Sequence, residues 1–208
     1  MTRKYDDRNM MAIMKTHPSR KEQSHERIVD VAARAIRRAG YRGVGVADIM
    51  KEAGLTHGGF YAHFASRDAL LVEAMQQAGR DSQITLSQAV ERRVAKGHSR
   101  FAALVQAYLH DMHMERPEQG CVVAALASEM TRQDDAVRDE ARRRVASLVE
   151  FVRAALPAGT DPDQGEVVTA TMVGALQLAR TLGGAAGRAL LAQTREALIH
   201  KHQPSLDH

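Results

Sequence analysis

The segment from Thr56 to Phe64 contains a threonine, two histidines and a tyrosine whose side chains could contact a nucleic acid. At about one hundred degrees per residue, a helix over this segment turns Phe60 and Phe64 to the inside. Its outer face is then formed by small and polar residues: Gly58, Gly59, Tyr61 and Ala62, with His57 and His63 on the flanks. Hydroxyl and imidazole groups on such a face can form hydrogen bonds with nucleic-acid bases and phosphates.

The residues before this segment predict a second short helix and a tight bend. Val46 and Ile49 recur at helical spacing up to Gly54. Gly54 can adopt the positive φ that closes a helix, and the hydroxyl of Thr56 can cap the next one. Two short helices joined by a glycine turn predict a helix-turn-helix over residues 45–64, whose second helix enters the major groove of DNA.

The same segment contains a longer pattern of an apolar residue, a turn glycine, and then polar, glycine and aromatic positions: Ile49, Gly54, Thr56, Gly58, Phe60, Tyr61, His63 and Phe64. This pattern resembles the DNA-binding unit of the TetR family of bacterial transcriptional regulators. The resemblance extends from about Glu22 through Ser66, Arg67 and Asp68 to Leu70. It implies an all-α fold, in which an N-terminal three-helix DNA-binding domain with the helix-turn-helix is joined to a larger C-terminal helical domain for ligand binding and dimerisation.

The resemblance also implies a set of DNA-binding residues at the start of the two helices and just beyond them: Gly45, Val46, Thr56, His57, Gly58, Gly59, Tyr61, His63 and Arg67. Tyr61 and His63 match a phosphate-contacting pair of the family, and Arg67 matches a basic phosphate clamp. The alternatives are core packing for Tyr61 and an interhelical hydrogen bond for His63. Gly45 stands where many members have a Ser or Thr cap, so only backbone N–H groups remain there to bind a phosphate.

Two adjacent glycines are unusual within a helix. Gly58 and Gly59 each cost about 1 kcal/mol there relative to alanine. We interpret the pair as a site of close approach between the backbone and DNA. Because few long side chains remain on this face, we expect sequence selection to depend partly on DNA shape.

The N-terminal part is polar before it becomes helical. Residues 1–18 predict a disordered arm, which is either an unstructured tail or a basic arm for the minor groove that uses Arg3, Lys4, Arg8 and Lys15. Ser19 and Glu22 form a capping box that begins a helix, and Gly40 ends it. This helix carries three arginines away from its apolar stripe, where they either contact phosphates or are solvated: Arg34, Arg37 and Arg38. We assign residues 19–80 to the DNA-binding domain.

Helical patterns continue from Ser66 to the C-terminal region. A long helix from Ser66 to Lys96 joins the DNA-binding domain to the rest, and the family resemblance implies that it conveys effector binding to the spacing of two DNA-binding heads. Further helices are predicted over residues 99–115, 121–132, 134–156, 166–182 and 187–201. Together with the end of the long helix they form the predicted effector-binding and dimerisation domain, residues 81–208.

The helix over residues 166–182 is apolar on more than one face, which is typical of a buried helix. Packing against a second copy would bury it, as in the four-helix bundle of TetR-family dimers. A purely intramolecular core is the alternative. A dimer would also bring two DNA-binding heads to the half-sites of a palindromic operator.

Apolar side chains in the C-terminal half could line a cavity for a small molecule, or could simply form the core: Phe101, Val105, Tyr108, Met112, Met114, Leu126, Met130 and Met172. Cys121 follows Gly120 at a predicted helix start, which makes it a candidate redox or electrophile sensor, with an ordinary buried cysteine as the alternative. His110 and His113 have metal-compatible spacing, but without a dense cluster of ligands we predict no metal site and no cofactor.

Composition limits the remaining possibilities. A net charge of +4 suits a polyanionic partner but does not require one. A single cysteine fits a reducing compartment, and the absence of a long apolar run predicts no membrane partner and a cytoplasmic protein. We find no sequence motif of an enzyme. The predicted function is therefore a homodimeric repressor that an unidentified small-molecule effector releases from its operator, with a thiol-responsive regulator based on Cys121 as the alternative.

Overall fold

The structure is a computed structural model and describes residues 18–202. The predicted arm of residues 1–18 therefore lies outside the described residues except for Pro18. Helix α1, Arg20–Ala39, begins with the predicted capping box: Ser19 Oγ accepts from the Glu22 N–H at 3.2 Å, and the Glu22 carboxylate accepts from the Ser19 N–H at 2.6 Å. It ends at Gly40, whose φ of 74° closes the helix as predicted.

Helix α2, Val46–Glu52, and a short 3₁₀ helix, His57–Ala62, form the predicted helix-turn-helix. We call the second of these the recognition helix. Gly54 joins the two with a φ of 72°. One detail of the prediction is wrong, because the Thr56 side chain makes no capping hydrogen bond. The 3₁₀ geometry is common in short helical pieces and suits a segment with two adjacent glycines.

Helix α3, Arg67–Val94, begins at the predicted cap, where Ser66 Oγ accepts from the Ala69 N–H. It packs against α1 and against several of the helices that follow. Those helices have these bounds: α4 Arg100–Tyr108, α5 Asp111–Glu115, a 3₁₀ turn Pro117–Gln119, α6 Val122–Met130, α7 Asp135–Arg153, α8 Gln164–Leu182 and α9 Gly184–Lys201. The described part of the chain contains no strand, which agrees with the all-α prediction.

The predicted helix over residues 99–115 is wrong, since the structure divides it into α4 and α5. His110 has an extended backbone, with φ −82° and ψ 145°, and its Nδ1 accepts from the Met112 N–H. The carbonyl of Leu109 leaves the helix and instead accepts a hydrogen bond from Arg195 on α9 at 2.5 Å. The helix therefore ends at Leu109, because its carbonyl accepts from Arg195 instead of from an N–H one turn later in a continued helix.

A continuous core connects the two halves of the molecule. The recognition helix contributes Phe60 to this core and Phe64 follows directly, both 2% exposed. Tyr108 and Met172 are fully buried in the C-terminal half. The recognition helix packs mainly against α2, and Phe60 anchors its inner side in the common core.

Candidate nucleic-acid interface and ligand cavity

The outer face of the recognition helix is open to solvent. Tyr61 is 76% exposed, and Thr56, His57 and Gly58 are exposed as well. The alternative that Tyr61 packs in the core is therefore wrong. The Tyr61 ring meets Phe60 edge to face at 5.2 Å, which orients it without covering it. This arrangement leaves the Tyr61 hydroxyl free to donate to a phosphate.

The two glycines of the recognition helix are not required by close packing against other described residues. A Cβ built at Gly58 would meet no atom within 4 Å, and one at Gly59 would lie at ordinary contact distance, 3.7 Å, from Thr56 Oγ1. Neither residue has a positive φ. Among residues 18–202, no packing contact accounts for the helix stability that glycine loses at these positions, and their contact with DNA stays a prediction.

His63 lies half-buried at the edge of this face. Its Nδ1 is buried and has no hydrogen-bond partner among the described residues, so the structure does not support an interhelical hydrogen bond for that nitrogen. Burial, followed by the nearby His25 and Lys21, lowers its pKa. His25 stacks on Phe64 and contacts Glu73 through its Nε2 at 2.6 Å. Because this nitrogen is buried, it could meet a DNA phosphate only if the His63 side chain turned outward, and DNA contact by His63 stays a prediction.

Arg67, predicted as a phosphate clamp, is half-buried at the first position of α3. Its guanidinium donates to the backbone carbonyl of Tyr41, which ties the start of α3 to the end of α1. At the start of α2, a Cβ at Gly45 would lie 3.1 Å from the Asp48 carboxylate, which is close to the helix end that was predicted to bind a phosphate. The neighbouring Val46 is partly buried against the core.

The three arginines of α1 do not share one environment. Arg34 and Arg38 are exposed, and Arg38 lies 3.5 Å from the Glu52 carboxylate. Arg37 is 5% exposed, so the expectation that it lies on an exposed phosphate-binding or solvated face is wrong. Its guanidinium donates to backbone carbonyls of α3 and of Gly120 instead, and burial lowers its pKa.

The C-terminal half contains a cavity of about 480 Å³ between α3, the α4–α5 region, α6 and α7. Of the residues predicted to line a cavity, Tyr108 and Met112 do so. The others do not line it and are buried in the core instead: Phe101, Val105, Met114, Leu126, Met130 and Met172.

Four arginines in the cavity wall were not predicted from the sequence: Arg92, Arg93, Arg116 and Arg144. On their own helices they resemble ordinary surface residues. One sequence signal was available, namely Gly79 in the middle of α3. A Cβ there would lie 2.8 Å from Arg144 Cδ, so glycine is what allows Arg144 to lie across the helix.

Cys121 is buried in the cavity wall and precedes the first residue of α6, without a side-chain capping hydrogen bond. Its N–H donates to His113 Nε2 at 2.8 Å, and His113 Nδ1 lies 2.6 Å from the Tyr108 carbonyl. Both ring nitrogens of His113 are thus engaged with the backbone, in the neutral form with the proton on Nδ1. Burial lowers the pKa of His113 to about 4.

This geometry does not favour a metal site at His110 and His113. His110 uses Nδ1 to cap α5, and His113 has no free nitrogen. Between residues 18 and 202, no group of three or more His, Cys, Asp or Glu side chains is arranged to hold a metal ion. The same residues include no helix with the length and hydropathy required to cross a bilayer.

Two family models match this chain. The model described as bacterial regulatory proteins, tetR family, matches residues 28–74, and the model described as tetracyclin repressor-like, C-terminal domain, matches residues 97–202. The chain belongs to the TetR family. It is a DNA-binding transcriptional regulator, as the helix-turn-helix predicted.

Individual relatives agree with this membership. The chain is 28% identical over 122 residues to the HTH-type transcriptional repressor DhaR of Mycobacterium sp. (strain GP1), and the match spans 57% of this chain and 58% of DhaR. A TetR-family regulator from Agrobacterium tumefaciens has 25% identity and a TM-score of 0.69, with 86% of this chain and 98% of that chain covered. A TetR regulator from Chloroflexus aurantiacus J-10-FL has 25% identity and a TM-score of 0.71, with 86% and 94% covered.

Helix α8 of this TetR-family protein has an exposed apolar stripe. Val167, Leu178 and Leu182 are 48%, 60% and 59% exposed, and they lie on one face with Thr171 and Gly174. A Cβ at Gly174 would meet no atom within 4 Å. The opposite side of the helix, with Val168, Met172 and Leu176, is buried in the core of the same chain. Helix α8 is thus apolar on two faces, of which residues 18–202 cover only one.

Proposed function

We propose that this protein is a homodimeric repressor, which binds a palindromic operator and dissociates from it when a small molecule occupies the C-terminal cavity. The observation that carries the proposal is the 76% exposed Tyr61 on a recognition helix whose opposite side is anchored in the core. A tyrosine held in this way is suited to contact a phosphate and fix the register of the helix in the groove.

Dimerisation is supported by the exposed stripe on α8. A contiguous apolar face is unfavourable in water and is typical of a protein–protein interface. Small residues on this stripe, such as Gly174, allow close approach of a second helix. Two recognition helices held by one dimer contact two half-sites together, which multiplies the modest affinity of each.

A route from the cavity to the DNA-binding domain is supported by shared elements. Helix α3 contributes Arg92 and Arg93 to the cavity wall and begins next to the recognition helix. Helix α6 contributes Glu129, whose carboxylate accepts from the Tyr41 N–H at 3.1 Å at the end of α1. A ligand that tilts α3 would change the distance between the two recognition helices, and 1 to 3 kcal/mol of coupling, roughly, is typical of such regulation.

The proposal is tested by operator binding. Purified protein is titrated with its own upstream intergenic DNA against excess nonspecific DNA at one physiological salt concentration, since phosphate contacts make affinity steeply salt-dependent. We expect selective binding by a dimer and at least a tenfold loss for Tyr61→Ala. Ile84→Ala, which truncates a 57% exposed side chain on α3, is the matched control and should bind as the wild type does.

The proposal fails if Tyr61→Ala binds selected operator DNA as tightly as Ile84→Ala does. It fails as well if neither the intergenic DNA nor a selection from random DNA gives selective binding. A selected site elsewhere in the genome would instead identify a distant operator and serve in the same comparison.

A second candidate is regulation through the thiol of Cys121. The observation that favours it is the position of Cys121 in the cavity wall, where a small electrophile in the cavity could reach it. Cys121→Ser separates the two candidates. A serine variant that still releases operator DNA with the same inducer excludes the thiol mechanism, whereas loss of release with unchanged operator binding supports it.

A further inference from the structure

We propose that the effector of this protein is an amphipathic organic anion, an apolar body that carries a carboxylate. This inference rests on the proposed function of the cavity as the effector site. The wall contains four arginines and no aspartate or glutamate. A cavity of about 480 Å³ with that charge balance selects against cations and favours a ligand with a negative group.

Three of the four arginines lack a carboxylate partner within the described residues. Arg144 is neutralised by the buried Glu140, with 2.7 Å between its Nε and the carboxylate. Arg92, Arg93 and Arg116 make no ion pair within 4.0 Å between residues 18 and 202. Burial and the like charge of Arg92 both lower the pKa of Arg93. An anion in the cavity would relieve this repulsion.

Tyr108 supplies an independent observation. It lines the cavity and is fully buried, and its hydroxyl has no hydrogen-bond partner among the described residues. Burial, followed by the nearby Cys121 thiol, raises the pKa of the Tyr108 phenol, and the hydroxyl makes no hydrogen bond of normal geometry with residues 18–202. A buried hydroxyl without a partner is unfavourable, and an acceptor that reached it, such as a carboxylate oxygen, would remove that cost.

The remaining wall determines the rest of the ligand. Leu86, Val122, Val123, Leu148 and Phe151 provide an apolar surface beside the arginines. A highly polar anion, such as a sugar phosphate, would lose its hydration against this surface without a matching partner. The combination fits a hydrocarbon or aromatic body with one carboxylate.

The test measures binding to the full-length protein by calorimetry without DNA. Decanoate, 1-decanol and decylamine share one apolar body and differ in head-group charge, and each is used below its micellar concentration. Phenylbutyrate and naphthylacetate extend the carboxylate series to aromatic bodies. We expect at least one carboxylate to bind, at least tenfold more tightly than the alcohol and the amine that share its body.

Variants assign the charge effect to the cavity. Arg93→Gln should weaken carboxylate binding at least tenfold, and Arg93→Lys should restore most of the affinity because it retains the charge. Tyr108→Phe should weaken binding while leaving the free protein at least as stable, since it removes only the hydroxyl without a partner. Arg142→Gln removes a 72% exposed arginine from α7 and should bind as the wild type does.

The outcomes distinguish this inference from the proposed function. Equal or tighter binding of an alcohol or amine, no binding of any carboxylate, or equal effects of Arg93→Gln and Arg142→Gln would overturn the inference. Release of operator DNA by a neutral or cationic compound would then leave the proposed function in place. A carboxylate that binds with the expected pattern but does not release operator DNA would instead support the ligand class and contradict release by cavity occupancy.

Discussion

Gly58 is a position where the fold does not require glycine, whereas the proposed contact with DNA does. Its φ is not positive, and a Cβ there would meet no atom of residues 18–202 within 4 Å. Gly54 in the preceding turn has a φ of 72°, which strains any side chain. The fold therefore requires glycine at position 54 but not at position 58, where we expect DNA binding to require it.

We expect Gly58→Ala to raise the free energy of unfolding by about 0.5 to 1 kcal/mol, because alanine restricts the unfolded chain. The same variant should lower operator affinity at least tenfold, because its methyl group occupies the surface that faces DNA. Gly54→Ala should lower stability by about 1 kcal/mol through its positive φ. Chemical denaturation and operator titration measure both quantities. Wild-type operator affinity in Gly58→Ala would contradict the assignment of this face.

His113 predicts a pH dependence of stability. Its neutral ring accepts from the Cys121 N–H through Nε2, and burial lowers its pKa to about 4. Below the unfolded-state pKa of about 6.5, His113 binds a proton in the unfolded chain but remains neutral in the folded protein until the pH approaches 4. Stability should therefore fall as the pH decreases from about 6.5 to 4, by up to about 3 kcal/mol from this residue.

Denaturation curves at pH 7, 5.5 and 4.5 test this prediction. His113→Gln should be less stable at pH 7 but should lose less stability on acidification than the wild type. His110→Gln replaces an exposed histidine three residues away and should retain the wild-type slope. Identical slopes for the wild type and His113→Gln would show that another group determines the acid response.

At the scale of elements, helix α8 has one apolar face for the core of its own chain and a second for the proposed dimer. Its buried face belongs to the core of the chain, and its other face exposes Leu178 at 60%. A charge at Leu178 can remain in water in a monomer but would be buried in the proposed dimer. The cost of burying such a charge is several kcal/mol.

We therefore expect Leu178→Glu to raise the dimer dissociation constant at least a hundredfold and to weaken operator binding, while the monomer keeps its helical content. Sedimentation velocity and circular dichroism measure these properties. Ile84→Glu, at a 57% exposed position on α3, is the matched control and should remain dimeric. A wild-type dimer that survives Leu178→Glu unchanged would place the interface elsewhere.

At the scale of the whole molecule, Arg37 connects the DNA-binding domain to the cavity. From α1 its guanidinium donates to the carbonyls of Ala78 on α3 and Gly120 beside the cavity, each at 3.3 Å, and lies 3.6 Å from the Asp81 carboxylate. Hydrogen bonds from a charged donor contribute about 1.5 to 3 kcal/mol each. One buried side chain thus holds three elements together.

Arg37→Met should lower the free energy of unfolding by about 2 to 4 kcal/mol, because buried carbonyls lose a charged donor. We also expect the DNA-binding domain to unfold before the C-terminal domain, which would appear as two transitions in scanning calorimetry. Arg34→Met alters an exposed arginine of the same helix and should change stability by less than about 0.5 kcal/mol. A single transition of unchanged midpoint in Arg37→Met would contradict this role.

Local chemistry in the sequence was sufficient for the helix boundaries that depend on caps and turns. Ser19, Ser66 and Ser99 cap the helices that they were expected to begin, and Gly40 and Gly54 adopt positive φ. These features involve residues within a few positions of one another, so they are readable without the fold. The TetR motif was recognisable for the same reason, because its positions are contiguous.

The tertiary structure alone decided the features that join distant residues. Arg195 binds the Leu109 carbonyl at the end of α4, 86 positions away in the sequence. Arg37 is buried because it donates to carbonyls of two other elements. Arginines of α3 and α7 lie in one cavity wall. In the sequence each of these arginines resembles a solvated surface residue. The carbonyl groups that bind Arg37 and Arg195 from other elements belong to distant segments, and only the fold brings these groups close. The sequence by itself therefore determined the helices and the family, whereas packing between helices decided which charges are buried and what the cavity can bind.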